Sequence, residues 1–327
     1  MIMKQISKTM MKSIAGSSLM DIFLFPFVLF SAVILLIVRR IGFKRLKKCK
    51  LALLKVGIMP IRNHYYEPLF DKRNLSKPLS DNRQLPGIDW NIPGQIELLD
   101  EFHFSNELAN IPNHNVDDLS FNFNNGAFEP GDAEYWYNLI RLKKPKKIIE
   151  VGSGHSTKMA QLAIKQNEKE NDRYACEHVC IEPYEMPWLE KLDVEVIREK
   201  VENVNKDIFK TLNSNDILFI DSSHMIRPQG DVLFEYLELF PTLNDGVIVH
   251  VHDIFSPKDY PEEWVLGEVK FWNEQYLLEA FLTYNSSWKI IGALNFLHHN
   301  YYELLKDKCN RLTPKFEPGS FYIQRRI

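Results

Sequence analysis

Cysteine is scarce in this chain, with four among 327 residues, at positions 49, 176, 180 and 309. None of them forms a C-x-x-C pair. Cys176 and Cys180 have no downstream partners that would complete a zinc set, so the thiols read as reduced and structurally unbridged. Excess charge is also missing. A net charge of −3 with 25% charged residues lacks the basic footprint of a nucleic-acid binder. No internal repeat and no low-complexity tract appears. These absences leave an ordinary globular body with room for a large α/β core.

One long apolar run is present. Residues 22–38, IFLFPFVLFSAVILLIV, carry no charge. As a helix they rise about 25 Å, close to a bilayer's hydrocarbon thickness. Pro26 falls in the first turns, where a missing N–H is tolerated. The run ends in Arg39 and Arg40 rather than in a small-residue cleavage site, which favours an uncleaved single-pass anchor over a signal peptide. Lys4, Lys8 and Lys12 precede it. Arg39, Arg40, Lys44, Arg45, Lys47, Lys48 and Lys50 follow it. The positive-inside rule then places everything after the run in the cytoplasm. Residues 39–57 form a basic juxtamembrane segment in which lysines alternate with leucines, suited to an anionic surface or to a solvated amphipathic helix.

The organisation expected is a tail (1–21), a membrane helix (22–38), the basic segment (39–57), an irregular extension (58–127) and a catalytic domain (128–327). Prolines break the extension. Its aromatics, among them Trp90, Phe102, Phe104, Phe121 and Phe123, mark it as ordered. One helix is expected there, from Gln95 to Leu108. Beyond it, helices and strands alternate: a helix capped by Asp132, then Lys147–Val151, HVCIEP, DVEVI, DILFID and GVIVHVHDI as strands. Helices are expected over Val232–Phe240 and Asn273–Leu282, and WKIIGAL and SFYIQR close the series. Such alternation means an α/β fold with a doubly wound, mostly parallel sheet.

The stretch IIEVGSGHST (148–157) ends the first of these strands in a glycine turn. A dinucleotide fold wants G-x-G-x-x-G, but Thr157 stands at the third glycine's place. A P-loop wants Gly-Lys-Ser/Thr, and no lysine is there. What remains, an acid on the strand followed by G-x-G, resembles motif I of the class I S-adenosylmethionine-dependent methyltransferases. From about Pro86 onward, LPGIDWN, IIEVGSGHST, CIEP, DILFIDSSH, GVIVHVHDIF, DYPEEW, WNEQYLL and GSFYI resemble, in order, bacterial sequences of the methyltransferase-24 type.

The resemblance implies a Rossmann-like seven-stranded sheet with its last strand antiparallel, and S-adenosylmethionine as cofactor. Gly152, Ser153, Gly154 and Ser156 would approach the methionine moiety. Glu150 would take its ammonium, and Glu182 both ribose hydroxyls, since a carboxylate accepts two O–H donors. Asp221, at the end of the fourth strand, completes the cofactor set. Open α/β sheets bind ligands at that edge. His224, His252 and Asp253 are the candidate catalytic residues there, because an imidazole of near-neutral pKa can take an acceptor's proton. Asp221 with Asp253 could instead hold Mg²⁺, although Ile254 stands where a second polar ligand is often found. His250 alternates along its strand and can equally be a packed side chain.

The acceptor itself is unreadable. A hydroxyl of a glycan or of a lipid-linked intermediate fits an anchored enzyme. A non-catalytic scaffold of the same fold, or a tethered nucleotide-cofactor enzyme, are the alternatives, and oligomeric state leaves no mark. The charge asymmetry gives the first prediction. A reporter fused to the C-terminus will be active in the cytoplasm, and activity only on the other side of the membrane overturns the orientation.

Overall fold

The computed structural model describes residues 18–184 and 186–326. Lys4, Lys8, Lys12, most of the expected tail and Glu185 lie outside the described residues. The chain forms two compact units, divided between Ser76 and Lys77.

In the first unit, helix α1 (Ser18–Ile41) contains the apolar run and extends beyond it at both ends. A window within Leu19–Ile41 reaches a mean hydropathy of 2.7 with no residue buried, so this helix is long and apolar enough to cross a membrane. Helix α2 (Lys47–Val56) buries nothing. It ends at Gly57, whose φ of 84° lets its N–H reach back to the carbonyls of Leu53 and Leu54. The Glu67 carboxylate then joins Arg39 to Arg62.

The second unit holds a seven-stranded sheet in the order β3-β2-β1-β4-β5-β7-β6. The strands are β1 (Lys147–Val151), β2 (Glu177–Ile181), β3 (Glu195–Ile197), β4 (Ile217–Ile220), β5 (Ile248–Val251), β6 (Trp288–Ala293) and β7 (Phe321–Arg325). Pairing is parallel from β3 through β5, and β7 runs antiparallel to both neighbours. This is the sheet expected from the sequence. Strands β1, β4 and β5 are buried on both faces and mostly apolar, with Glu150 and His250 the polar side chains carried inside.

One face of the sheet is covered by α4 (Asp132–Lys143) and α5 (His155–Glu170), which pack on each other and on β1 and β4 through Trp136, Leu139, Met159 and Ala163. The other face buries Val232, Tyr236 and Phe240 against the strands. Two helices differ from expectation. Gln95–Leu108 is not continuous. Helix α3 (Ile92–Asp100) stops, and only a short 3₁₀ turn covers Ser105–Leu108. The break follows from packing: Phe102 is buried in the core and the Phe104 N–H is bound by the Asn138 side chain. The Val232–Phe240 segment is a short α-helix, α6 (Asp231–Leu233), continued by a π turn over Phe234–Leu239. Helix α7 (Glu274–Leu282) is as expected. Helices α8 (Leu294–Asn300) and α9 (Tyr302–Lys308) are additional.

Residues 77–127 belong to the sheet's own unit. Leu98, Leu99, Phe102, Phe121 and Phe123 enter the same core as α4 and α5. Arg83 bridges Asp259, in the loop after β5, and Glu279 on α7.

Candidate active site

The parallel strands end together at one edge, and their ladders continue a residue further there. The N–H groups of Gly152, Asp221 and His252 bond to the last carbonyls of β2, β1 and β4. Gly152 is where the chain leaves β1. Its φ is +79°, and a Cβ built there would sit 2.0 Å from the Asp221 carbonyl oxygen. Only glycine fits. Gly154 is different. Its backbone is extended, and a Cβ would meet nothing closer than the Met186 methyl at 3.9 Å. The space beside it is open.

Glu150 is fully buried beneath this loop and does not line the cleft described below. Its carboxylate accepts the Thr157 hydroxyl, which in turn accepts the Gly154 N–H at 3.1 Å. The His178 Nε2 lies 3.5 Å from its other oxygen. Strand alternation turns Glu150 into the protein, so the carboxylate expected to reach an ammonium holds the glycine loop instead. Burial works against the charge on His178, but the Glu150 carboxylate prevails and raises its pKa to about 10. Ser153 and Ser156 lie in the loop, and the Ser156 carbonyl accepts the Trp136 indole N–H at 3.2 Å.

Gly152, Glu182 and Asp221 meet in a cleft of about 340 Å³ at the ends of β1, β2 and β4. Tyr184, Lys200, Glu202, Ser222, Arg227 and Asp231 line the rest. Glu182 orders its own turn by accepting the Tyr184 N–H at 2.9 Å. Asp231 holds the loop after β4, accepting both the N–H and the hydroxyl of Ser223.

Asp221 also faces the second half of the site. His224 Nε2 lies 3.2 Å from Asp221 Oδ1 and 3.5 Å from Asp253 Oδ2. His252 Nδ1 lies 3.5 Å from Asp253 Oδ1 and 3.9 Å from Asp221 Oδ1, while its Nε2 is 3.8 Å from Asp132. His224 and Asp253 both adopt positive φ, 58° and 60°, an uncommon backbone for such residues that tertiary structure must enforce here. All four candidates from strands β4 and β5 therefore converge.

Two further carboxylates complete the cluster. Fully buried Glu274, at the start of α7, binds His224 Nδ1 at 2.8 Å and also accepts the Tyr236 hydroxyl. Asp132 does not cap its own helix. It is the first residue of α4, and its carboxylate accepts the N–H groups of Gly319 and Ser320 before β7. No local pattern marks either residue as part of a site, since both arrive from distant helix starts. His250 is fully buried among Phe128, Trp136, Phe219 and Tyr322, and its pKa falls well below the usual range through burial. It is a packed side chain.

The histidines are not near-neutral imidazoles. Burial disfavours the charge on His252, but Asp253, Asp132 and Asp221 outweigh it and lift the pKa to about 9. His224 is raised well above its ordinary value by Asp221 and Glu274, again against burial. Burial raises the Asp253 carboxyl. Both rings thus hold their protons at neutral pH. Asp221, His252 and Asp253 also place one ligand atom each within 4.8 Å of one another. Neither nitrogen of His252 has a hydrogen-bond partner among the described residues. An orphaned buried nitrogen between two carboxylates fits a divalent cation. The donor set is mixed, two oxygens and a nitrogen, which suits a borderline transition ion better than Mg²⁺.

Residues 149–254 match the model of a family described as a methyltransferase domain. That stretch carries a methyltransferase domain. An uncharacterised protein of Archaeoglobus fulgidus is 29% identical over 179 residues, covering 50% of this chain and 78% of its own length. Among solved structures, an O-methyltransferase from Bacillus cereus in complex with S-adenosylhomocysteine is 14% identical. That match covers 72% of this chain and 91% of the other, with a TM-score of 0.32. The O-methyltransferase TomG from Streptomyces achromogenes, in complex with S-adenosylmethionine, is 13% identical over 71% and 90%, with a TM-score of 0.35. The sheet order of the methyltransferase domain itself, not these likenesses, carries the fold.

The buried Glu150–His178 pair makes stability depend on pH. A histidine whose folded pKa is raised contributes fully below about 6.5, its unfolded value. That contribution is lost as pH rises towards 10. Chemical denaturation at pH 6.5 and pH 10 will show lower stability at the higher pH. His178→Gln will reduce the difference, and an unchanged difference in the variant refutes the assignment.

Proposed function

We propose that the protein is a membrane-tethered methyltransferase that uses S-adenosylmethionine and methylates a hydroxyl, on a glycan or a lipid-linked intermediate. One observation carries the reading: the ligand-sized cleft at the ends of β1, β2 and β4 shares Asp221 with the histidine–carboxylate cluster. The cofactor's half and the acceptor's half thus adjoin.

The cleft suits this donor. Its volume of about 340 Å³ lies within the usual range of about 300–1,000 Å³ for small-ligand sites. Glu182, Glu202, Asp221 and Asp231 outnumber Lys200 and Arg227 along its walls. That balance attracts a sulfonium and disfavours the pyrophosphate of a dinucleotide. Glu182 would take the ribose hydroxyls, Gly152 and Gly154 would let the backbone approach the amino-acid end, and Glu150 would act through the loop it holds. When bound, the cofactor supplies an electrophilic methyl group. The protein's part is alignment and handling of the acceptor's proton. Glu274 fixes the ring of His224, so that Nε2 points at Asp221 and Asp253. His252 stands between Asp132 and Asp253. Both rings would be shifted towards the neutral, proton-accepting form by a sulfonium bound in the adjoining cleft.

A second reading rests on the close grouping of Asp221, His252 and Asp253. These three would hold a divalent cation, which would lower the pKa of the acceptor hydroxyl. The helix α1 would anchor the enzyme, and the basic residues after it would keep the domain at the cytoplasmic face.

Calorimetry tests the cofactor site. Glu182→Ala will weaken S-adenosylmethionine binding by about 2–4 kcal/mol. Gly154→Val, which fills open space without straining the loop, will abolish it. Normal binding by both variants refutes the site. The cluster is tested by turnover. If a histidine is the base, His252→Ala or His224→Ala will lower turnover about 10²–10⁴-fold with cofactor affinity little changed. If a cation acts, Asp221→Ala and Asp253→Ala will be the severe variants, and a chelator will mimic them until divalent ion is restored. Near-normal turnover in all four variants makes the cluster structural.

A further inference from the structure

A second cleft opens on the same edge of the sheet, on the far side of the cluster from the first. Leu79 and Ser80 close one side, and most of its walls come from three places that the topology brings together. The loop after β5 supplies Phe255, Lys258, Asp259 and Tyr260. The start of α8, just after β6, supplies Asn295. The segment before β7 supplies Glu317. Because Phe321 pairs with both Val251 and Ala293, these three places lie at the end of the sheet where β5 delivers His252 and Asp253. The link is direct. The Ile254 N–H bonds to the Gly319 carbonyl at 2.8 Å, and a Cβ on Gly319 would lie 3.2 Å from the Asp253 Cα.

We propose that this second cleft receives the methyl acceptor, and that the group it receives is one neutral, hydroxyl-rich ring, the size of a single sugar. The proposal rests on the methyltransferase reading above and gives its acceptor a site. In-line transfer needs donor and acceptor on opposite sides of the moving carbon. The two clefts lie towards opposite ends of the sheet edge, with the strand ends that carry the cluster between them.

Size and chemistry choose the occupant. The volume is about 190 Å³, below the range of about 300–1,000 Å³ for drug-sized ligands, so one ring fits and an extended cofactor does not. The lining sets an ammonium against carboxylates in this small space. The Lys258 ammonium has no ion-pair partner within 4 Å among the described residues, and Glu317 is the carboxylate that acts on it electrostatically. Asn295 donates to Glu317 Oε2 at 2.8 Å and fixes that carboxylate in place. A phosphate or carboxylate ligand would meet Glu317 and Asp259. A cationic ligand would meet Lys258. An apolar ring would bury the Lys258 ammonium without a partner, at a cost. Hydroxyls both donate and accept, so a polyol satisfies the ammonium and the carboxylates together.

The test uses the full-length protein in detergent micelles and ligand-observed saturation-transfer NMR. The probes are the methyl glycosides of glucose, galactose, mannose and N-acetylglucosamine, with glucose 6-phosphate and cyclohexylmethanol as contrasts. S-adenosylmethionine affinity is measured separately on every sample, and thermal unfolding checks that each variant is folded. At least one neutral glycoside will show saturation transfer, both contrasts will show little, and Lys258→Met and Glu317→Gln will each cut the glycoside signal at least fivefold. S-adenosylmethionine affinity will stay within twofold. No glycoside signal from the native protein overturns the proposal, as does equal signal from either contrast. A glycoside signal that both variants retain places the binding elsewhere and also overturns it. Failure of the native protein to bind S-adenosylmethionine counts instead against the methyltransferase reading, because the glycoside result is obtained without it.

Discussion

Gly152 passes so close to the carbonyl of Asp221 that no side chain can stand between them. The rest of the working edge depends on that approach. It brings the turn after β1 against the end of β4, so one cleft is walled by both. It also places Asp221 where it can face the histidines of the neighbouring strand ends. The turn is held from below by Glu150, through Thr157, and from the side by the Trp136 bond to Ser156. A buried carboxylate in this position is tolerated because His178 supplies a compensating charge.

The same edge concentrates charge. Four carboxylates, from Asp132, Asp221, Asp253 and Glu274, surround two imidazoles within a few ångströms. An arrangement of this density is stable only with protons or cations among the acids, which is why both rings are held charged. The positive φ of His224 and Asp253 adds backbone strain at the same place. Charge and strain together mark a site organised for something that arrives, rather than for stability alone.

The sheet was legible because its signals are local. Apolar runs, their spacing and the turn residues between them identify all seven strands without reference to distant contacts. Strand ends were legible too, so Glu182, Asp221, His252 and Asp253 could be placed at the ligand edge from position alone. What sequence could not give was direction and company. Glu150 points inward because of its place in the alternation of β1, which cannot be told from a strand buried on both faces. Asp132 and Glu274 reach the cluster from helix starts, Asp132 being 120 residues before His252 and Glu274 being 50 residues after His224, so spacing carries no trace of them. The histidines' charge follows from those same unseen neighbours, and reading them as near-neutral was the consequence. The break after α3 arose likewise from Phe102 turning into a core that local periodicity does not reveal.

Arg83 ties the segment ahead of the sheet to the loop after β5 and to α7, and Phe102, Phe121 and Phe123 lie inside the core itself. The inheritable unit of this fold is therefore larger than its recognisable motifs. A gene fusion or recombination that joined a new N-terminus at residue 128, where the alternating pattern begins, would strip aromatic side chains from the interior and an arginine from beside the loop after β5. Exchange of the segment ahead of this unit between relatives keeps the interior intact when the junction falls before Lys77.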